Sequence, residues 1–225
     1  EIGSCWEIQT AVNGYARKTG DSLATQVSRG RHFQLIDDHR KEEVGVFPKR
    51  IRVRLLEDEY YCWLDLSALI GQAIKKEYWQ PQLLSKKEIQ ARLPFVLNWV
   101  SDAAENSNTY LWGGTLGPDF DCSGLVQSAF ASQGIWLPRD AYQQERFCTP
   151  LTASFADHQD WLPGDLLFFG PASRCTHVAL YRGAGLYWHS SGLDHGHNGI
   201  GCDGIHFQEL NPVASYYRDQ FRGAG

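Results

Sequence analysis

Asp121-Cys122-Ser123-Gly124 is followed by Leu125, Val126, Ala129 and Phe130 at the spacing of one helical face, and Gly134 and Pro138 then supply stop signals. The pattern predicts a helix whose first turn carries a single cysteine, with Asp121 in position to cap it. Unpaired NH groups and the positive end of the helix dipole favour an anion there. The thiol of Cys122 is therefore expected to have a lowered pKa and a raised thiolate fraction near neutral pH. Just upstream, Tyr110-Leu111-Trp112-Gly113-Gly114 and Gly117 make a loop suited to close backbone approach. A free cysteine is ordinarily a small buried hydrophobe, so the reading depends on partners.

Two histidines supply them. Thr176-His177-Val178-Ala179-Leu180-Tyr181 is β-favouring and follows the turn Leu162-Pro163-Gly164-Asp165 and the apolar run Leu166-Leu167-Phe168-Phe169. A second short strand, Leu186-Tyr187-Trp188-His189-Ser190, carries another imidazole that can hold the first in its working tautomer. An isolated histidine usually sits in a core or on a surface. The order cysteine at a helix start, strand histidine, strand histidine sets these two apart.

The segments Tyr110-Leu-Trp-Gly-Gly, Asp121-Cys-Ser-Gly, Leu137-Pro-Arg-Asp-Ala-Tyr-Gln-Gln144, Leu162-Pro-Gly-Asp-Leu166, Thr176-His-Val-Ala-Leu180 and His189-Ser-Ser resemble the NlpC/P60 family of papain-like cysteine peptidases, which cut bacterial cell-wall peptides. The resemblance implies Cys122 as nucleophile, His177 as general base and acid, and His189 as the orienting third residue. The tetrahedral oxyanion of such a reaction needs donors, for which the Cys122 backbone NH is one candidate and the Tyr110 hydroxyl the other. Trp112, Asp121 and Ser123 fall in motifs that border the cleft in that family; for Trp112, ordinary packing and substrate contact both stay open. Arg139 and Asp140 are expected to serve the carboxylate and amine sides of the substrate, against the alternative that they pair with each other or cap a helix. Ala141 departs from the commoner pattern, which has serine after Arg-Asp.

The N-terminal third has a different texture. Trp6–Val12, Leu23–Val27, His32–Ile36, Arg50–Leu55 and Tyr60–Leu64 are short β-type runs separated by turn-rich segments, as expected of a small antiparallel barrel. Leu23–Val27, the alternating Arg50–Leu55 and Glu57–Trp63 resemble a bacterial SH3 domain of the kind attached to cell-wall hydrolases. In related peptidases with this domain order, the SH3-like domain closes one end of the cleft. The resemblance therefore implies that Glu57-Asp58-Glu59-Tyr60-Tyr61 holds a substrate ammonium group, with Tyr60 the chosen contact and Tyr61 the reserve. Residues 71–84 are expected to connect the domains. Ser85-Lys-Lys-Glu88 fits a capping box, and Pro94 is expected to open an apolar-periodic helix through Val96, Val100, Ala103 and Ala104.

Composition excludes several classes. A net charge of −5 and a pI near 5.9, without any basic run, argue against a nucleic-acid partner. No apolar stretch is long enough to span a bilayer. The six cysteines, at 5, 62, 122, 148, 175 and 202, include no CxxC pair, so neither a structural zinc nor a disulfide framework is expected. His195, His197, Cys202 and His206 form a loose cluster in a glycine-rich loop, read as a polar surface connection. Glu1-Ile2-Gly3-Ser4-Cys5 lacks the order of a signal peptide, which favours a cytoplasmic location, while the absence of methionine leaves the native start open.

The chain is thus expected to be α+β, with an SH3-like barrel over 1–70, a connection over 71–84 and a papain-like NlpC/P60 domain over 85–225. The family implies a cofactor-free endopeptidase for the γ-D-glutamyl to diamino acid bond of murein stem peptides. The closed cleft end would restrict it to peptides with a free N-terminal L-Ala, as suits cell-wall recycling. The alternatives are a papain-like amidase or acyltransferase using the same thiol, and a cell-wall binding protein with a silent papain-like domain. The oligomeric state is left open.

Overall fold

Strand β5 (Arg50–Leu55) alternates Ile51, Val53 and Leu55, all buried, with the more exposed Arg52 and Arg54, the pattern of a half-buried strand. The same logic shapes its neighbours β1 (Cys5–Ile8), β2 (Val12–Tyr15), β3 (Leu23–Val27), β4 (His32–Leu35) and β6 (Tyr61–Asp65). With β7 (Ala73–Lys76) they make one antiparallel sheet in the order β3-β2-β6-β5-β4-β1-β7. Its inward residues, among them Ile8, Val27, Phe33, Val53, Leu55, Cys62 and Leu64, meet in one apolar cluster. A short helix α1 (Leu66–Leu69) closes it through Leu69. The computed structural model describes residues 2–36, 48–151, 159–205 and 211–225. It divides into two compact units, 1–83 and 84–225.

Two expectations are corrected here. The connection assigned to 71–84 begins with β7, which pairs with β1 from Cys5↔Lys76 to Ile8↔Ala73. An edge strand is held by backbone bonds and shows no apolar alternation to read. Pro94 does not open a helix. It lies inside α2 (Lys86–Glu105), whose start is the Ser85–Glu88 capping box. An interior proline removes one helical rung at a cost of about 3 kcal/mol, which burial of Val96 and Val100 against the second core offsets.

The second unit is built on an antiparallel sheet of five strands, β8 (Leu166–Phe169), β9 (His177–Gly183), β10 (Leu186–Ser191), β11 (Gly199–Gly204) and β12 (Phe221–Ala224), in the order β11-β10-β9-β8-β12. Period-two alternation sorts its side chains. Leu166, Phe168, Val178 and Leu180 pack with α2 and with helices α3 (Cys122–Ala131) and α4 (Ala141–Phe147). Leu167, Phe169, Ala179 and Tyr181 join the other core, with Tyr217 of helix α5 (Pro212–Asp219). Both faces are covered, so β8 reads as a continuous apolar run. Strand β11 corrects the reading of a surface connection over Gly199–Gly204. Gly199-Ile-Gly-Cys-Asp-Gly has weak β propensity, and pairing with β10 along its whole length overrides it.

Candidate active site

Cys122 is the first residue of α3. Asp121 is its N-cap, and its Oδ1 accepts from the Gly124 NH at 2.6 Å. Gly124 is required by packing: a Cβ there would collide with the Gly114 carbonyl, so the Tyr110–Gly117 loop can lie directly against the helix start. The other Asp121 oxygen accepts from the Gly113 NH at 2.8 Å and fastens the same loop. Arg139, 1% exposed, closes the arrangement with a forked pair to both Asp121 oxygens at 3.1 and 2.6 Å and a bond to Ser123 Oγ at 3.0 Å.

This geometry corrects three expected substrate contacts. Asp121, Ser123 and Arg139 are buried and engaged with one another, because a buried carboxylate and guanidinium must each be paired. Asp140 is the N-cap of α4, with its NH donating to Gln143 Oε1 at 3.1 Å, so the capping alternative describes it. In the first unit, Glu57 and Asp58 already neutralise Arg31, at 3.4 and 2.6 Å, and Glu57 also meets His32. They are not free to receive an ammonium group. Tyr60 packs partly against the sheet's apolar cluster, and Tyr61 is 51% exposed.

The thiol environment overturns the expected pKa. Burial first, and then the Asp121 carboxylate, push Cys122 up to about 12 against the backbone NH groups of Val178 and Ser123. The capping residue that starts the helix is thus a like charge opposing the thiolate. The sulfur lies 4.0 Å from the carbonyl oxygen of Thr176, the residue directly before His177 on β9. Tyr110 and Tyr217 are both raised, chiefly by burial and next by Cys122.

From His177 a hydrogen-bonded chain runs across the sheet. His177 Nε2 meets His189 Nδ1 at 2.8 Å, and His189 Nε2 meets Asp203 Oδ2 at 2.7 Å. The same carboxylate oxygen takes His197 Nε2 at 2.9 Å, and Oδ1 accepts from Asn211 Nδ2 at 2.7 Å. Among the described residues, no hydrogen bond engages His177 Nδ1. Burial pulls His177 well below the usual imidazole value, with His189 adding to it. Burial also lowers His189, partly countered by Asp203. The ring of Tyr217 stacks on His177 with centroids 4.2 Å apart.

His177 and Tyr217 face a cleft of about 410 Å³ that Tyr110, Trp112, Thr176 and Asp194, among others, also line. Trp112 is 71% exposed, which favours contact with a ligand over core packing. The structure links His177 to His189, sets His177 and Tyr110 in one cleft and puts the Cys122 sulfur against the Thr176 carbonyl. It adds Asp203 and Tyr217, which the sequence reading missed, and gives His197, read there as part of a surface connection, a bond to Asp203. The loose cluster of His195, His197 and Cys202 does not converge. His195 stacks on Tyr216, His197 bonds Asp203, and Cys202 sits 3.5 Å from Arg182; His206 lies outside the described residues. Among the described residues, His189, His197 and Asp203 hold metal-ligand atoms within 4.8 Å of one another, but hydrogen bonds already link them. All six cysteines are free. Among the described residues, no helix is long and apolar enough to cross a membrane.

Residues 107–213 match the NlpC/P60 family, and residues 15–69 match the bacterial dipeptidyl-peptidase Sh3 domain. The chain carries an NlpC/P60 domain. The NlpC/P60 match takes in Cys122, His177, His189 and Asp203. A bifunctional muramidase/DL-endopeptidase of Bacillus subtilis is 32% identical over 145 residues, covering 62% of this chain and 39% of that protein. A gamma-D-glutamyl-L-lysine dipeptidyl-peptidase of the same species is 40% identical over 84 residues, covering 36% and 27%. A probable endopeptidase p60 of Listeria innocua is 38% identical over 97 residues, covering 43% and 19%. The chain therefore matches well under half the length of these relatives. A solved NlpC/P60 family protein from Bacillus cereus aligns over 99% of this chain and 62% of its own, at 20% identity and a TM-score of 0.47.

Proposed function

We propose that this chain is a cysteine endopeptidase that hydrolyses the γ-D-glutamyl to diamino acid bond of murein stem peptides bearing a free N-terminal L-Ala. The observation that carries the proposal is the chain from His177 Nε2 through His189 to Asp203, which leaves His177 Nδ1 for proton transfer, with the Cys122 sulfur 4.0 Å from the carbonyl of Thr176, the residue before His177. The name of the gamma-D-glutamyl-L-lysine dipeptidyl-peptidase relative favours this bond, and the matching Sh3 domain favours action from a free amino end.

His177 Nδ1 takes the thiol proton as Cys122 Sγ attacks the γ-carbonyl carbon of D-glutamate. The raised thiol and the lowered imidazole leave the resting pair neutral, so the proton moves with the attack rather than before it. As first residue of α3, Cys122 has a backbone NH with no intrahelical acceptor, and it joins the Tyr110 hydroxyl in stabilising the oxyanion. Protonated His177 then gives its proton to the departing α-amine of the diamino acid. Water, deprotonated by His177, hydrolyses the thioester and restores the thiol. Tyr60 is assigned to the substrate amine, and the free cysteines suit work on released stem peptides in a reducing compartment.

Product analysis on L-Ala-γ-D-Glu-diamino acid tri- and tetrapeptides, with and without N-acetylation or an attached sugar, tests the proposal. Release of L-Ala-D-Glu from free-amine peptides, with the blocked forms cut at least about tenfold more slowly, is expected. Tyr60→Phe should narrow that gap. Efficient digestion of whole sacculi overturns the free-amine requirement, and binding without turnover favours a silent cell-wall module.

A further inference from the structure

Asp203 Oδ2 receives two imidazoles, His189 at 2.7 Å and His197 at 2.9 Å, from a fully buried position on β11. Burial works to raise its carboxyl, but the hydrogen bonds and charges of His189 and His197 outweigh this and hold it below its ordinary value. An ionised carboxylate only accepts hydrogen bonds, so both partner nitrogens carry protons.

On the His189 side this settles the protons as far as His177 Nδ1. With its proton on Nε2, a neutral His189 presents a bare Nδ1, which can only accept from His177. The 2.8 Å contact therefore needs a proton on His177 Nε2, and a neutral His177 then has a bare Nδ1. On the other side, His197 ends the loop whose residues Gly192, Leu193, Asp194 and His195 line the cleft. Its backbone NH donates to Ser191 Oγ at 2.9 Å while its ring reaches Asp203. Gly201, the partner of His189 across β10 and β11, makes room, because a Cβ there would collide with the His197 ring.

We propose that Asp203 is a positioning residue with two arms, one that sets the imidazole tautomers and one that pins the cleft-wall loop through His197. The proposal rests on the peptidase reading for its kinetic consequences only. The arms separate in kinetics. Loss of the His197 arm loosens the wall against which substrate binds, whereas loss of Asp203 also releases the tautomer of the general base.

The test combines steady-state kinetics on the free-amine tripeptide with two measurements that need no turnover. In wild-type protein, ¹⁵N histidine NMR should place the protons of His177 and His189 on Nε2. Asp203→Asn should redistribute them and lower kcat by about a hundredfold or more, as for other partners that orient a working imidazole. Asp203→Glu should recover part of this. His197→Ala should raise KM by about tenfold, with a smaller change in kcat, and speed amide exchange over residues 192–198. A wild-type spectrum with the His177 proton on Nδ1 overturns the tautomer arm, even if Asp203→Asn fails to fold. Unchanged exchange in His197→Ala overturns the loop arm. Absence of turnover in wild type, with the expected spectra and exchange, overturns the peptidase reading and leaves Asp203 as assigned.

Discussion

Tyr217 lies face to face with His177, ring centroids 4.2 Å apart and planes 27° from parallel, so helix α5 forms one wall of the imidazole. The phenol also hydrogen-bonds Ser191 at the end of β10. Tyr217→Phe should keep the stack and lose about 1 kcal/mol with the hydroxyl. Tyr217→Ala should lose about 3–5 kcal/mol and lower kcat further than Tyr217→Phe does. Urea denaturation and single-turnover kinetics measure both. Equal kcat in the two variants would show that the stack does not hold the imidazole.

Arg139 and Asp121 form a buried pair, and breaking one side strands the other. Arg139→Met should cost about 3–5 kcal/mol in urea denaturation. Arg139→Lys, which keeps the charge but not the planar fork, should fall between it and wild type. A raised KM with unchanged stability would instead assign Arg139 to the substrate carboxylate.

Cys122→Ala and Cys122→Ser should fold and lose nearly all turnover. His189→Asn should retain more activity than His177→Ala, since an amide can still orient an imidazole while nothing replaces the base. Similar losses at His177, His189 and His32 would remove the assignment.

Because burial and Asp121 push Cys122 up to about 12, its alkylation by iodoacetamide in the empty enzyme should keep rising with pH beyond the range of an ordinary thiol, about 8.5. Mass mapping of the labelled peptide follows it. A plateau of Cys122 labelling near neutral pH would mean that thiol and imidazole already exchange the proton at rest.

His177 and His189 have lowered folded-state values, so below the ordinary imidazole value of 6.5 the unfolded chain binds protons that the native state does not. Their contribution to stability is complete above 6.5 and is lost as pH falls from there toward the folded values. Each contributes a slope of up to about 1.4 kcal/mol per pH unit. Asp203, lowered from 3.8, adds a further loss below that value. Unfolding free energy should therefore drop between pH 7 and pH 5, and His189→Asn should flatten the drop. A flat wild-type profile over that window contradicts buried neutral imidazoles.

Much of this arrangement was legible one element at a time. Apolar spacing after Cys122 announced α3, the Ser85–Glu88 pair announced the start of α2, and alternation in Arg50–Leu55 announced β5, because each depends on contacts within a few residues. The resemblance of six ordered segments pointed to Cys122, His177 and His189. Asp203 was out of reach, since Gly199–Gly204 becomes a strand only by pairing with β10 and its glycines and aspartate carry no strand signal. The partner of Arg139 was equally hidden. Arg-Asp at 139 and 140 invites pairing between neighbours, whereas the fold turns Arg139 inward to Asp121 and gives Asp140 to a helix cap. The thiol's pKa shows the same division. Local sequence determined that Cys122 would open a helix, which favours the thiolate, but its burial beside a carboxylate, which opposes it more strongly, was decided only when the loop, helix and sheet closed around it.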